Sequence, residues 1–177
     1  MKISRNIRRV LRRQNPSLNS ITCGTENPAS IGCRFYELEG GETAAVFSIG
    51  EFHESHKGIM HGGLSAAVLD ETMGRTIMHR DNCKADEPDF MCVTMEMTVR
   101  YRKPVLTGGL KRAYGRIEKE DGLCVHLTAD IVDEADEILA TARGKFVKIQ
   151  KTSGAGEENE KNHQKYLPLT EKDPKDL

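Results

Sequence analysis

Residues His61 to His79 place apolar Leu64, Val68, Met73, Ile77 and Met78 among small Ala66, Ala67 and Gly74. A helix over this run is apolar or small on most of its faces, and such a helix must be buried. In a chain of 177 residues, read as one domain, the enclosing layer has to come from the rest of that domain.

The flanking segments read as that layer. Gly32 to Leu38 and Thr43 to Ile49 surround Glu39-Gly40-Gly41-Glu42, a hairpin signal. Residues 50–60 form a loop, and Arg80 to Phe90 forms another, marked by Pro88. From Cys92 to Arg102, Val93, Met95, Met97, Val99 and Tyr101 alternate with Thr94, Glu96, Thr98, Arg100 and Arg102, the period-two pattern of a strand with one face buried. Lys111 to Lys119, Leu123 to Asp133 and Ile138 to Ile149 follow, joined by short turns as in an antiparallel meander. The expected fold is α+β: an antiparallel six-stranded sheet wrapped around one long central helix.

The ends read differently. Met1 to Arg13 sets Ile3, Ile7, Val10 and Leu11 at helical spacing among five arginines, which predicts a short basic helix packed on its own domain or a partner. Asn15 to Ser30 is rich in Asn, Ser, Thr and Pro and reads as a linker. From Gln150 the chain is charged and poor in apolar residues, so a flexible tail is expected. The divisions are 1–29 for the basic helix and linker, 30–149 for the sheet-and-helix domain, and 150–177 for the tail.

Composition excludes several classes of function. The formal net charge of −1 offers no basic field for nucleic acid. No apolar run reaches the ~20 residues of a membrane span, and the N-terminus has no secretory pattern. Five cysteines without a CxxC pair read as reduced thiols of a cytoplasmic protein.

Chemistry concentrates at the start of the buried helix. Gly62 and Gly63 are poor helix residues. They suit either a ligand approaching the backbone, where unpaired helix N–H groups can polarise a carbonyl, or close packing of helix on sheet. Asp70 is a carboxylate inside an otherwise buried helix, costly unless paired or functional. Gly62 and Asp70 are eight positions apart, or ~12 Å along a helix, too far to serve one atom. Two copies of the helix, antiparallel across a two-fold axis, bring one Gly62 beside the other Asp70, which points to an isologous dimer with shared sites.

The run His61-Gly62-Gly63 with an acidic residue nine positions after the histidine, preceded by His53 and Gly58-Ile59-Met60, resembles the hotdog-fold thioesterases of the PaaI-like, phenylacetyl-CoA type. Leu69-Asp70-Glu71-Thr72-Met73-Gly74, Tyr101 with Pro104, and Ala142-Arg143-Gly144-Lys145-Phe146-Val147 extend the resemblance over residues 30–149. It implies an acyl-CoA or aryl-CoA thioesterase, forming a homodimer or a dimer of dimers. The Gly62 N–H, with Gly63, would polarise the thioester carbonyl, and Asp70 would act as nucleophile or general base. Thr94 matches a hydroxyl that places water or substrate, although strand alternation sets it on the polar face. The family's loop asparagine has no equivalent; Ser55 lies near its place, with His53 or His56 as substitutes. Basic residues at strand ends, Arg102, Lys103, Arg143 and Lys145, are candidates for the coenzyme A phosphates, against the alternative of a solvated strand face. His61 is expected to bond loop backbone at the start of the helix. The spacing of His53, His56 and His61 fits no standard zinc pattern, so no metal is expected, and coenzyme A enters only as part of the substrate. A non-catalytic acyl-CoA binding or sensing domain is the alternative, and Asp70 argues against it. A hotdog dehydratase would need a different loop–helix pattern.

Overall fold

The structure is a computed structural model that describes residues 7–82, 90–150 and 166–177. Helix α1 (Gly62–Asn82) lies against a curved antiparallel sheet. The strands are β1 (Val10–Gln14), β2 (Arg34–Leu38), β3 (Thr43–Phe47), β6 (Phe90–Tyr101), β7 (Lys111–Asp121), β8 (Cys124–Val132), β9 (Ile138–Gln150) and β10 (Tyr166–Leu167). They run in the order β10-β1-β2-β3-β7-β8-β9-β6. A separate two-stranded ribbon, β4 (Glu54–His56) with β5 (Ile59–Met60), lies in the loop before the helix. The α+β class, the hairpin at residues 39–42 and the four strands after the helix agree with the sequence. The sheet has eight strands rather than six.

Both additions correct readings of the chain ends. Residues 10–14, taken from the sequence as the end of a basic helix, form strand β1 between β2 and β10. The proposed apolar stripe is not buried as one: Ile7 is 80 % exposed and Leu11 37 %. An isolated helix this short is marginal, whereas a strand here satisfies the free edge of β2. Residues 1–6, the rest of that segment, lie outside the described residues.

The tail is also partly ordered. Tyr166 and Leu167 pair with Gln14 and Arg13, and Leu177 exchanges backbone hydrogen bonds with Arg8. The Tyr36 hydroxyl donates to the buried Asp173 carboxylate over 2.7 Å. The reason lies in β2 and β3, which are almost wholly buried. Phe35, Ala45 and Phe47 join the core around α1, while Tyr36, Leu38, Ala44 and Val46 form a second apolar cluster with Leu177 against it. Strands apolar on both faces need cover on both. Residues 151–165 of the expected tail, and 83–89 of the expected loop, lie outside the described residues.

Helix α1 comes close to the sheet at Gly115. A Cβ there would fall 2.3 Å from Thr76 Oγ1 and 2.9 Å from the Thr72 carbonyl oxygen. Met73 and Ile77 are fully buried in the core between helix and strands. At Gly144 a Cβ would meet Met73 Cε and Phe146 Cε2, each at 2.9 Å, side-chain atoms rather than backbone. Gly115→Ala, which collides with both the Thr76 hydroxyl and the Thr72 backbone carbonyl, is expected to cost about 1–3 kcal/mol, and Gly144→Ala less, because only the Met73 and Phe146 side chains, and no backbone, would have to shift. Chemical denaturation of the two variants checks this order.

Candidate active site

The first turn of α1 is held by histidines and a tyrosine. His61 precedes the helix, and its Nδ1 accepts the Gly63 N–H at 2.9 Å. The His61 carbonyl accepts the N–H groups of Leu64 and Ser65. Its own N–H donates to the His53 carbonyl at 2.8 Å. Among the described residues the Gly62 N–H finds no acceptor, and it sits at the positive end of the helix.

The two glycines now separate. A Cβ on Gly63 would fall 3.0 Å from His61 Nδ1, so glycine allows that imidazole to fold back as a cap. A Cβ on Gly62 would meet only the Tyr101 ring, at an ordinary 3.5 Å. Packing therefore accounts for Gly63 and leaves Gly62 to be explained by something else approaching it. The Gly63 N–H, expected beside Gly62 as a carbonyl donor, is already taken by His61.

Asp70 lies two turns further along, half-buried. The Thr94 hydroxyl donates to Asp70 Oδ1 over 2.6 Å, the length of a charge-assisted O–H···O⁻ bond. Burial pushes the carboxyl above its ordinary range; the Thr94 hydrogen bond opposes this, and the neighbouring Glu71 charge adds to it. Glu71 points elsewhere, to an ion pair with Arg75 at 2.8 Å.

A bulge in β6 turns Thr94 toward Asp70. Thr94 pairs with Phe146 and Glu96 with Lys145, which leaves Met95 as an extra residue in the strand. On β9, Ala140, Ala142, Gly144 and Phe146 are buried and face the helix side. Tyr101, Val99, Met97 and Thr94 stand opposite them in register. Unbroken alternation would have put Thr94 on the outer face with Glu96. No glycine in β6 marks the bulge in the sequence.

Other candidate residues are placed as follows. His53 is buried, with Nδ1 accepting the Gly50 N–H and Nε2 directed at the Ala29 carbonyl, each at 3.2 Å. It therefore bolts the loop together. Ser55 and His56 are exposed on the β4–β5 ribbon. Arg102 and Lys103 are exposed just beyond β6, and Lys103 pairs with Glu137. Arg143 and Lys145 flank the buried Gly144 on the opposite face of β9, turned away from the helix. The structure brings together Asp70 with Thr94, and Gly62 with His61, and it does not bring Arg143 or Lys145 to either pair. Tyr101 was missed as a partner of the helix: its hydroxyl donates to the Gly62 carbonyl at 2.9 Å. Arg75 was missed as well; it is buried and anchors the Asn15 carbonyl and Cys23 Sγ. Among the described residues no three His, Cys, Asp or Glu side chains converge as metal ligands. No described helix is long and apolar enough to cross a membrane.

Comparison with known proteins follows the same lines. Residues 57–140, which contain His61, Asp70 and Thr94, match the profile of the thioesterase superfamily. Acyl-coenzyme A thioesterase THEM4 of Xenopus laevis is 26 % identical over 121 residues, 66 % of this chain and 50 % of that protein. The chain thus spans about half the length of this curated relative. The E. coli PaaI protein from the phenylacetic acid degradation operon shares the fold with a TM-score of 0.59 and 16 % identity, over 69 % of this chain and 83 % of PaaI. A Bacillus halodurans protein solved with CoA shares it with a TM-score of 0.59 and 23 % identity, over 70 % of this chain and 78 % of that one. Residues 57–140 are thus similar to the thioesterase superfamily, and the helix started by His-Gly-Gly and laid on an antiparallel sheet shares its fold with these solved structures.

Proposed function

We propose that this chain hydrolyses acyl-CoA or aryl-CoA thioesters to the free acid and CoA. The observation that carries the reading is the Asp70 carboxylate, held by Thr94 at 2.6 Å and still half-open, on a helix whose Gly62 N–H has no acceptor among the described residues. The Gly62 N–H donates to the thioester oxygen and to the oxyanion that develops on it. Asp70 is the nucleophile or the general base on water. Thr94 orients Asp70 and is placed to orient the water. No cofactor is required, since the N–H polarises the carbonyl and coenzyme A arrives with the substrate. The names of the relatives agree with it: one is an acyl-CoA thioesterase, and one fold neighbour was solved with CoA. Five scattered cysteines with no CxxC pair suit a reducing, cytoplasmic setting.

On this reading the site is shared between subunits. Gly62 and Asp70 of one helix are ~12 Å apart, so each Gly62 works with the Asp70 of a second copy. β6 ends the sheet, and along it Met95 and Tyr101 are 63 % and 56 % exposed. That edge offers a second copy both backbone groups to pair with and apolar surface to cover. The assembly is a homodimer or a dimer of dimers.

Asp70→Asn is expected to lower kcat/KM by about 10²–10⁴-fold in an acyl-CoA panel. Full activity in the variant, or no hydrolysis by the wild type, would sink the reading. Single-turnover hydrolysis in ¹⁸O-labelled water separates the two roles of Asp70, because the covalent route can leave label in that carboxyl group.

The carboxyl's raised pKa gives two further outcomes. A group that holds its proton more tightly when folded stabilises the fold below the ordinary carboxylate range, and this contribution is lost as pH rises through the raised value. Ionised Asp70 is then a cost at neutral pH, and Asp70→Asn should melt no lower than wild type there. Thr94→Val removes the bond that favours the ionised form, so the acid limb of kcat/KM should move to higher pH. A limb that stays in place in a pH–rate profile would rule out Thr94 as a determinant of Asp70 ionisation.

A further inference from the structure

We infer that Tyr101 is a positioning residue for the reaction, its hydroxyl and the His61 imidazole fixing the Gly62–Gly63 peptide from both ends so that the Gly62 N–H is aimed at the thioester oxygen. The inference rests on the hydrolase reading above.

Glycine is the residue least able to hold its own backbone direction. A glycine N–H that must point at one oxygen therefore has to be fixed from outside. The structure fixes both peptide planes that meet at Gly62. In the following peptide, the Gly62 carbonyl accepts the Tyr101 hydroxyl at 2.9 Å, and the Gly63 N–H donates to His61 Nδ1 at 2.9 Å. In the preceding peptide, the His61 carbonyl accepts from Leu64 and Ser65. One step earlier, the His61 N–H is tied to His53. Around Gly62, only its own N–H is left without an acceptor among the described residues.

The Tyr101 bond is not explained by the need to satisfy the Gly62 carbonyl. That oxygen already faces the N–H four residues on in any α-helix, and its second lone pair tolerates solvent. Nor is core packing the explanation, since Tyr101 is 56 % exposed. Its ring edge lies about as close to Gly62 as a Cβ there would allow, with Cε1, Cζ and Oη at 3.5, 3.5 and 3.6 Å from that position. The anchor is itself firm. Just past Tyr101, the N–H groups of Arg102 and Lys103 both donate to the Leu139 carbonyl, at 2.8 and 3.0 Å, which ties the end of β6 to β9. Tyr101 and Thr94 lie on the same face of β6, so one strand sets the N–H through one side chain and the carboxylate through the other.

The test is Tyr101→Phe, which keeps the ring and removes the hydroxyl. Kinetics on the best acyl-CoA of the panel, melting temperature, and amide shifts in protein labelled with ¹⁵N-glycine are measured together. The expected result is a kcat lowered by about 5- to 50-fold, short of the ~10²–10³-fold cost of losing an oxyanion donor outright. KM should change less than twofold and the acid limb should not move. Melting should be nearly that of wild type, while the Gly62 and Gly63 amide resonances shift. Unchanged kcat, an effect carried by KM alone, or glycine resonances that stay in place would overturn the inference. If wild type hydrolyses no thioester, the hydrolase reading fails, and the glycine resonances still decide whether Tyr101 fixes this peptide.

Discussion

Helix α1 lies as deep in the sheet as it does because β7 has no side chain where the two meet. At Gly115 the Thr76 hydroxyl and the Thr72 carbonyl of the helix occupy the space that a Cβ would need. The helix residues facing that point are threonines, and their hydroxyls turn back to their own helix: Thr72 donates to the Val68 carbonyl at 2.6 Å and Thr76 to the Thr72 carbonyl at 2.8 Å. A polar pair can then be fully buried without orphaned groups. This depth lets the sheet curl around the helix, so that β6, at the far end of the strand order, still reaches Asp70 through Thr94 and Gly62 through Tyr101.

Much of this arrangement is legible in the sequence. The long helix announced itself by apolar and small residues on most faces. The hairpin at residues 39–42 and the strand at 124–132 followed from turn chemistry and alternation. Asp70 stood out as a carboxylate in a buried helix, and Gly62 as a poor helix residue at its start. What stayed hidden depends on pairing between distant segments. Met95 is an ordinary strand residue, and only the register against β9 makes it a bulge, so alternation sent Thr94 to the wrong face. Val10 to Gln14 looks helical in isolation and becomes a strand because β2 offers an unfilled edge. The docked tail had a signal that could have been read. The sequence of β3, Thr43-Ala44-Ala45-Val46-Phe47, does not alternate cleanly, and a strand apolar on both faces implies a second covering layer.

The residue beside Asp70 shows how the N-terminal segment is tied to the site. Glu71 would repel the Asp70 charge more strongly if its own were unpaired. Arg75, one turn on, takes that charge and spends its remaining N–H groups on the Asn15 carbonyl, Ser17 Oγ and Cys23 Sγ. Its guanidinium also lies over the Phe35 ring at 5.0 Å. Nearby, Gln14 donates both to the Arg75 carbonyl and to the buried Glu37 carboxylate, which Arg12 pairs from the other side. A buried ion pair stripped of one partner is strongly destabilising. The segment that reads as a linker is thus held by charges the helix must bury in any case, and the cation it shares with Glu71 moderates the field at Asp70.

The same helix carries a polarising N-terminus and a carboxylate two turns away, and on the proposed reading neither end can complete a site in its own subunit. That arrangement has an electrostatic consequence. Within one subunit, burial raises the Asp70 pKa and Thr94 alone among the named contacts opposes it. An antiparallel second helix would bring the positive end of its dipole to this carboxylate, a stabilisation of the ionised form worth roughly 0.3–1 kcal/mol at an exposed terminus and more when desolvated. The group that donates to the thioester oxygen would then also favour the charged state of the base that acts with it. On that reading, docking the subunits would remove water from the carboxylate and supply a partner for it in the same step. A site divided in this way leaves each lone subunit with a carboxylate less ready to ionise and an N–H with nothing to polarise.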